Sequence, residues 1–180
     1  MKIDVRVLSG SAELRRAINC TQNKLLPFDC KPLRQKTMNN QIKQQHGTLN
    51  RYIFEVQAVV PERVHSHLRT HHLINEFYAC STSRPDICSA DGKMRSISLL
   101  LPLKRAIEIF GLRLCKKSWH ETTKFFKQLK EKLVEIEPIL EPILQPQCIH
   151  KGFCPEMKNS CGYELTGRFT STRESYENIW

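Results

Sequence analysis

The chain has 180 residues, 40% of them hydrophobic, and a formal net charge of +10. That length suits one domain with a small appendage, and that apolar share is enough for a real core. No stretch approaches the ~20 apolar residues that a membrane helix requires, and the charged, alternating N-terminus is not a secretory signal. The basic residues are scattered from Lys2 to Arg173, so they read as a folded basic surface rather than a disordered arm. Such a surface favours anionic partners: nucleotide phosphates, nucleic acid or an acidic protein. The expected location is the cytoplasm. There the eight cysteines are expected as free thiols or metal ligands, with a disulfide framework as the alternative.

In chain order, Ile3, Val5 and Val7 alternate with charged residues, the period of a half-buried strand. Ser11 with Glu13 opens a helix carrying Leu14, Ala17 and Ile18 inward. Residues 22–47 are polar and proline-punctuated, and fit either a helix with irregular flanks or a mobile loop. Tyr52, Phe54, Val56 and Ala58 give a second strand. Pro61 occupies a first helical position, and the helix is expected to continue through Val64, Leu68, His71 or His72, Asn75 and Tyr78. Asp91-Gly92 is a turn, Met94–Leu101 a third strand, and a helix follows over about 103–117. Ser118 and Glu121 have the spacing of a capping box for an amphipathic helix with Trp119, Phe126, Leu129, Leu133 and Ile136. Pro138, Pro142 and Pro146 then make a stiff, kinked exit.

This order predicts an α+β fold, a small, mostly antiparallel sheet packed with long helices, with a Cys-rich C-terminal appendage. The expected boundary divides residues 1–146 from a tail, residues 147–180. No phosphate-binding glycine motif of the common dinucleotide or triphosphate type is present.

The chemistry concentrates in His65–Arg84, where four histidines and two arginines run into a small-hydroxyl cluster. A core helix does not need that mixture, because buried imidazoles and guanidiniums each require partners; an anion site does. His67 and His71 share a helical face, so a metal or a solvated histidine face are the competing readings. Lys124, Lys127, Lys130 and Lys132 lie opposite an apolar helical face and read as solvated. In the tail, Cys148, His150, Cys154 and Cys161 supply the ligands that tetrahedral zinc prefers. A structural zinc is expected, with an iron–sulfur centre or unliganded thiols as alternatives.

The ordered set of segments resembles the flavin-dependent thymidylate synthases, the ThyX family, over roughly residues 1–140. Lys-Ile-Asp-Val-Arg-Val-Leu-Ser and the helix ending Arg16-Ala-Ile-Asn-Cys20 resemble its first strand and helix. His46-Gly47-Thr48-Leu49 resembles its Gly-His-x-Ser segment. His67-Leu68-Arg69-Thr70-His71-His72 with Asn75, Glu76, Cys80 and Arg84 resembles the signature helix and loop. Leu112-Arg113-Leu114 and Trp119-His120-Glu121 resemble the later helix. Thr70 and His72 replace two family arginines, Cys80 a serine, and Thr123 and Ser98 two further arginines. Arg69, Arg84, Arg95, Arg105 and Arg113 offer charge from neighbouring positions.

The resemblance implies methyl transfer to carbon 5 of a pyrimidine nucleotide (deoxyuridylate), with FAD as cofactor and NADPH and methylenetetrahydrofolate as co-substrates. It also implies a homo-oligomer, a tetramer in the family. Arg69, His71, His72, Asn75 and Glu76 would face the flavin. Ser81, Ser83, Arg84 and Arg113 would hold the nucleotide, arginine because its planar fork meets phosphate oxygens in pairs. Cys80 either attacks carbon 6 of the uracil as a nucleophile or fills the serine's space. The alternative function is a non-catalytic module of the same fold that binds nucleotide or nucleic acid through a basic cleft and the zinc-like tail.

Overall fold

The computed structural model describes residues 1–69, 76–80, 88–89 and 92–179, with backbone alone at 69, 76–80, 88–89 and 92–93. Its first strand, β1 (Lys2–Ser9), is followed by α1 (Ser11–Thr21), α2 (Gln35–Lys43) and a 3-10 turn at Gly47–Arg51. Next come β2 (Ile53–Pro61), α3 (Glu62–Arg69), β3 (Glu76–Cys80), β4 (Cys88–Ser89) and β5 (Gly92–Pro102). The chain continues through α4 (Leu103–Arg113), α5 (His120–Ile136), α6 (Leu140–Ile143), α7 (Gln147–Lys151) and α8 (Gly167–Glu177).

The sheet runs β1-β2-β5-β3, with β4 paired to β5, and every described pairing is antiparallel. Alternation in β2 sends Phe54, Val56, Ala58 and Val60 to one face. Register places Leu101, Leu99 and Ile97 of β5 opposite the first three, so both strands feed one apolar layer. Helices α4 and α5 cover it with Ala106, Ile109, Phe110, Phe125, Phe126, Leu129 and Leu133. Phe110 meets Phe126 edge to face at 5.2 Å, the arrangement that aromatic quadrupoles favour. The α+β prediction with an antiparallel sheet therefore holds.

Local chemistry explains the element ends. The backbone N–H of Gly10 donates to Glu13 Oε2 at 2.8 Å, closing the first turn of α1. In the polar stretch left open by the sequence, Met38 and Ile42 stand one turn apart and are both buried. A helix with irregular flanks is thus the correct alternative there. Tyr52, almost wholly buried, donates its hydroxyl to Glu137 at the C-terminal end of α5, and burial and that carboxylate push its ionisation far upward.

Three expectations need correction. Helix α3 does not run on to Tyr78: its last described residue is Arg69, and Glu76–Cys80 is a strand paired with Leu100–Ser96. Phe77 and Tyr78 suit a pleated surface, and pairing with β5 outweighs the helical periodicity. Helix α4 stops at Arg113, not Lys117. The capping box is not formed either, because Trp119 is the N-cap of α5, while Ser118 Oγ and Glu121 Oε2 are buried without a hydrogen-bond partner among the described residues.

After α5, Pro138, Pro142 and Pro146 break the chain into the short α6 and the start of α7. The tail folds back on the body. Ile149 is fully buried, and Arg173 of α8 donates from Nη1 to the carbonyls of Ile149 and His150, the latter at 2.9 Å. Gly152 ends α7 in the left-handed region, at φ 76°. No helix among the described residues is long and apolar enough to cross a membrane.

Candidate active site

Helix α3 is anchored through Val64 and Leu68, both buried, and its first turn is tied to β5 by the Glu62–Arg95 ion pair. This orientation buries His65, whose Nδ1 lies 3.8 Å from Glu62 Oε1, and turns His67 towards α5. Nδ1 of His67 is 2.9 Å from Thr122 Oγ1, and its ring meets Trp119 edge-on at 6.2 Å. The Arg63 guanidinium lies over the same indole at 5.7 Å. Burial and then the charge of Arg113 hold the His67 imidazole below its ordinary pKa. Burial likewise lowers the pKa of Arg113. The face between α3 and α5 thus carries the Arg63 and Arg113 guanidiniums beside an indole and an imidazole that favours its neutral form, a set suited to anions that stack.

Of the signature residues, Arg69 belongs to α3, and Glu76 and Cys80 open and close β3, where they pair with Leu100 and Ser96. His71, His72, Asn75, Ser81, Ser83 and Arg84 lie outside the described residues. Thr123, one of the positions that departs from the family pattern, has its hydroxyl buried without a hydrogen-bond partner among the described residues. Ser98 sits in mid-sheet between Gln57 and Tyr78.

A second concavity, about 780 Å³, opens between α1 and the 3-10 turn. Arg16, Lys24, His46, Thr48 and Arg51 line it, with Glu13 as the one carboxylate on its wall. His46 Nδ1 accepts from the backbone N–H of Thr48 at 3.3 Å, and Thr48 Oγ1 donates to Gln41 Oε1 at 3.1 Å. The sequence singled out His46-Gly47-Thr48 only through the family resemblance. Arg16 entered only through the same resemblance, and Lys24 and Arg51 carried no signal, because α1 and the polar stretch meet only in three dimensions.

The tail residues are arranged differently from expectation. The six cysteines whose side chains are described are free thiols. Cys148, Cys154 and Cys161 line a cavity of about 350 Å³ beneath the end of α4, and Cys115 joins them. His150 does not line it: Nε2 donates to the Ile143 carbonyl at 2.8 Å, and the ring stacks on Tyr176 at 5.1 Å. Burial is the main cause that pushes the Cys148 thiol up to about 11. Among the described residues, no three Cys, His, Asp or Glu side chains are gathered closely enough to hold one metal ion.

No family model matches the chain. A flavin-dependent thymidylate synthase from Pyrococcus horikoshii is 34% identical over 87 residues, covering 46% of this chain and 34% of that protein. The chain thus spans about a third of the length of the curated relative it matches. A solved structure, the UMP/dUMP methylase PolB from Streptomyces cacaoi bound with 5-Br dUMP, superposes with a TM-score of 0.54 at 8% identity. That match covers 77% of this chain and 92% of the other. The antiparallel sheet under long helices is therefore the fold that this methylase has. The chain is thus similar in sequence, over 87 residues, to a flavin-dependent thymidylate synthase and shares the fold of this methylase.

Proposed function

We propose that this chain binds a flavin and a pyrimidine nucleotide and transfers a one-carbon group to carbon 5 of the base. The observation that carries the reading is the face of α3 and α5 where Arg63 and Arg113 stand with His67 and Trp119. Phosphate and a stacking ring are what such a face accommodates. A separate concavity lined by Arg16, Lys24, His46 and Arg51 has the size and charge that a nucleotide needs.

The donor set fits a flavin, whose phosphates are anionic and whose ring edges take hydrogen bonds. Arg69, His71, His72, Asn75 and Glu76 are assigned to hold it, and when bound it supplies hydride chemistry. Ser81, Ser83, Arg84 and Arg113 orient the nucleotide through its phosphate. Cys80 stands where the family has serine and is the candidate to add to carbon 6. NADPH and methylenetetrahydrofolate are the proposed co-substrates, deoxyuridylate the proposed acceptor, and a cytoplasmic homo-oligomer the proposed working form.

The test is to purify the protein, release bound cofactor by acid and identify flavin by its fluorescence, then titrate deoxyuridylate. Stoichiometric FAD and nucleotide binding that weakens at least tenfold in Arg84→Ala support the reading. A flavin-free protein that binds oligonucleotides in a salt-sensitive way overturns it in favour of a non-catalytic module. Alkylation of Cys80 that deoxyuridylate blocks assigns it the nucleophile's place. Inertness equal to the other thiols assigns it packing alone.

A further inference from the structure

Four free thiols, those of Cys115, Cys148, Cys154 and Cys161, line the cavity beneath the end of α4. Helix packing sets two of them against each other. Helices α4 and α7 pack together, and their backbones approach closely where Gly111 meets Gln147. A Cβ on Gly111 would stand 3.7 Å from Cβ of Gln147 and 3.8 Å from its Cα. Cys115 follows Gly111 by one helical turn, and the helical backbone carries on through Leu114 between them. Cys148 directly follows Gln147 in the first turn of α7. We propose that Cys115 and Cys148 form a reversible disulfide that staples the tail to the end of α4.

Pairing asks less of the site than metal binding does. A disulfide takes two thiols with Cβ atoms about 3.5–4.5 Å apart. It does not need the gathering of three ligands that is absent among the described residues. Charge on the wall agrees, since Arg113 and Lys117 are balanced by Glu156 and Glu164, and a disulfide is uncharged. Of the other three thiols, Cys115 is the one whose charge weighs most on Cys148. Cys154 and Cys161 instead flank the 3-10 turn Met157–Asn159, and a bond between them would leave α4 untied.

The oxidant is a low-molecular-weight disulfide of the glutathione class. Burial keeps the Cys148 thiol protonated at neutral pH, so the first attack falls to Cys115, which is partly exposed. Its thiolate bonds to one sulfur of the oxidant and expels the other as a thiolate, which takes up the proton that Cys115 released. Cys148 then attacks the Cys115 sulfur, and its proton passes to the second departing thiolate. One protein disulfide forms, one small disulfide is cleaved and two small thiols leave, so both electrons pass from the protein to the oxidant. In a reducing compartment such a bond is transient, and reduction restores the free thiols of the structure. The inference is independent of the proposed flavin chemistry.

The test incubates the native full chain with oxidised glutathione, counts thiols after denaturation and maps linked peptides by mass spectrometry. Expected are the loss of two of the eight thiols, a linked Cys115–Cys148 peptide pair and full reversal by dithiothreitol. Amide exchange in α7 should slow on oxidation, while β2 and β5 stay as they were. Cys115→Ser should remove the linked pair, and Cys20→Ser should keep it. Eight intact thiols, glutathione held on Cys115 without an internal bond, or a Cys154–Cys161 bond in place of Cys115–Cys148 would overturn the proposal. So would unchanged exchange in α7 once the bond has formed. The wild-type peptide map decides the matter even if the serine variant does not fold.

Discussion

Nδ1 of His67 lies 2.9 Å from the hydroxyl of Thr122, joining the middle of α3 to the first turns of α5. The contact links the signature segment to the helix that fills the core, because Thr122 is fully buried and neighbours Phe125 and Phe126 in sequence. Thr122→Val keeps the shape and removes the polar partner. The expected loss is about 1 kcal/mol of stability, the usual net worth of one hydrogen bond. Urea denaturation of the two proteins measures it, and a difference near zero would show that water replaces the contact.

The same histidine predicts a response to acid. Burial first, and then Arg113, keep its pKa in the folded protein below the ordinary value of about 6.5. A depressed folded value means that His67 contributes stability above the unfolded value and loses it as pH falls through the folded one. The melting temperature should therefore drop as pH is lowered below about 6.5. His67→Gln should flatten that part of the profile, and an unchanged slope would remove His67 from the explanation.

Phe110 tests the core. It is fully buried and sits edge to face against Phe126. Phe110→Ala is expected to cost about 3–5 kcal/mol through lost burial and the cavity left behind. A calorimetric or denaturant measurement checks the size, and a cost under about 1 kcal/mol would mean that α4 and α5 collapse freely onto the gap.

Gly152 tests the tail. Its φ of 76° is left-handed, and a Cβ there would stand 3.4 Å from Cζ of Arg173, the residue that clamps the end of α7. Gly152→Ala should cost about 1–3 kcal/mol of backbone strain. Hydrogen exchange should quicken in α7 and α8 while β2 and β5 stay protected. Uniform quickening across the chain would show that the tail and the body unfold together.

The sheet was legible wherever alternation was strong, as in Ile3–Val7, Tyr52–Ala58 and Met94–Leu101. Short β3 was not, since Asn75 and Tyr78 extend a helical spacing begun at Val64 and only pairing with β5 reveals a strand. The candidate site was legible as residue types. The approach of Arg113 to His67 was not, because the two belong to helices far apart in sequence. The thiol cavity shows the same limit. Three of its cysteines cluster in the tail sequence, whereas Cys115 joins them only once α4 packs against α7. His150 looked like a ligand through proximity alone, and its ring is spent on a carbonyl and a tyrosine.

The three prolines after α5 have a consequence in entropy. Each holds φ near about −65° even in the unfolded chain, so ordering that connection removes less freedom than ordering common residues would. The path from Glu137 to Gln147 is thus partly arranged before folding begins. Helices α7 and α8 are brought back to α4 by a short, stiff strut, and their own contacts need supply little of the work of closure.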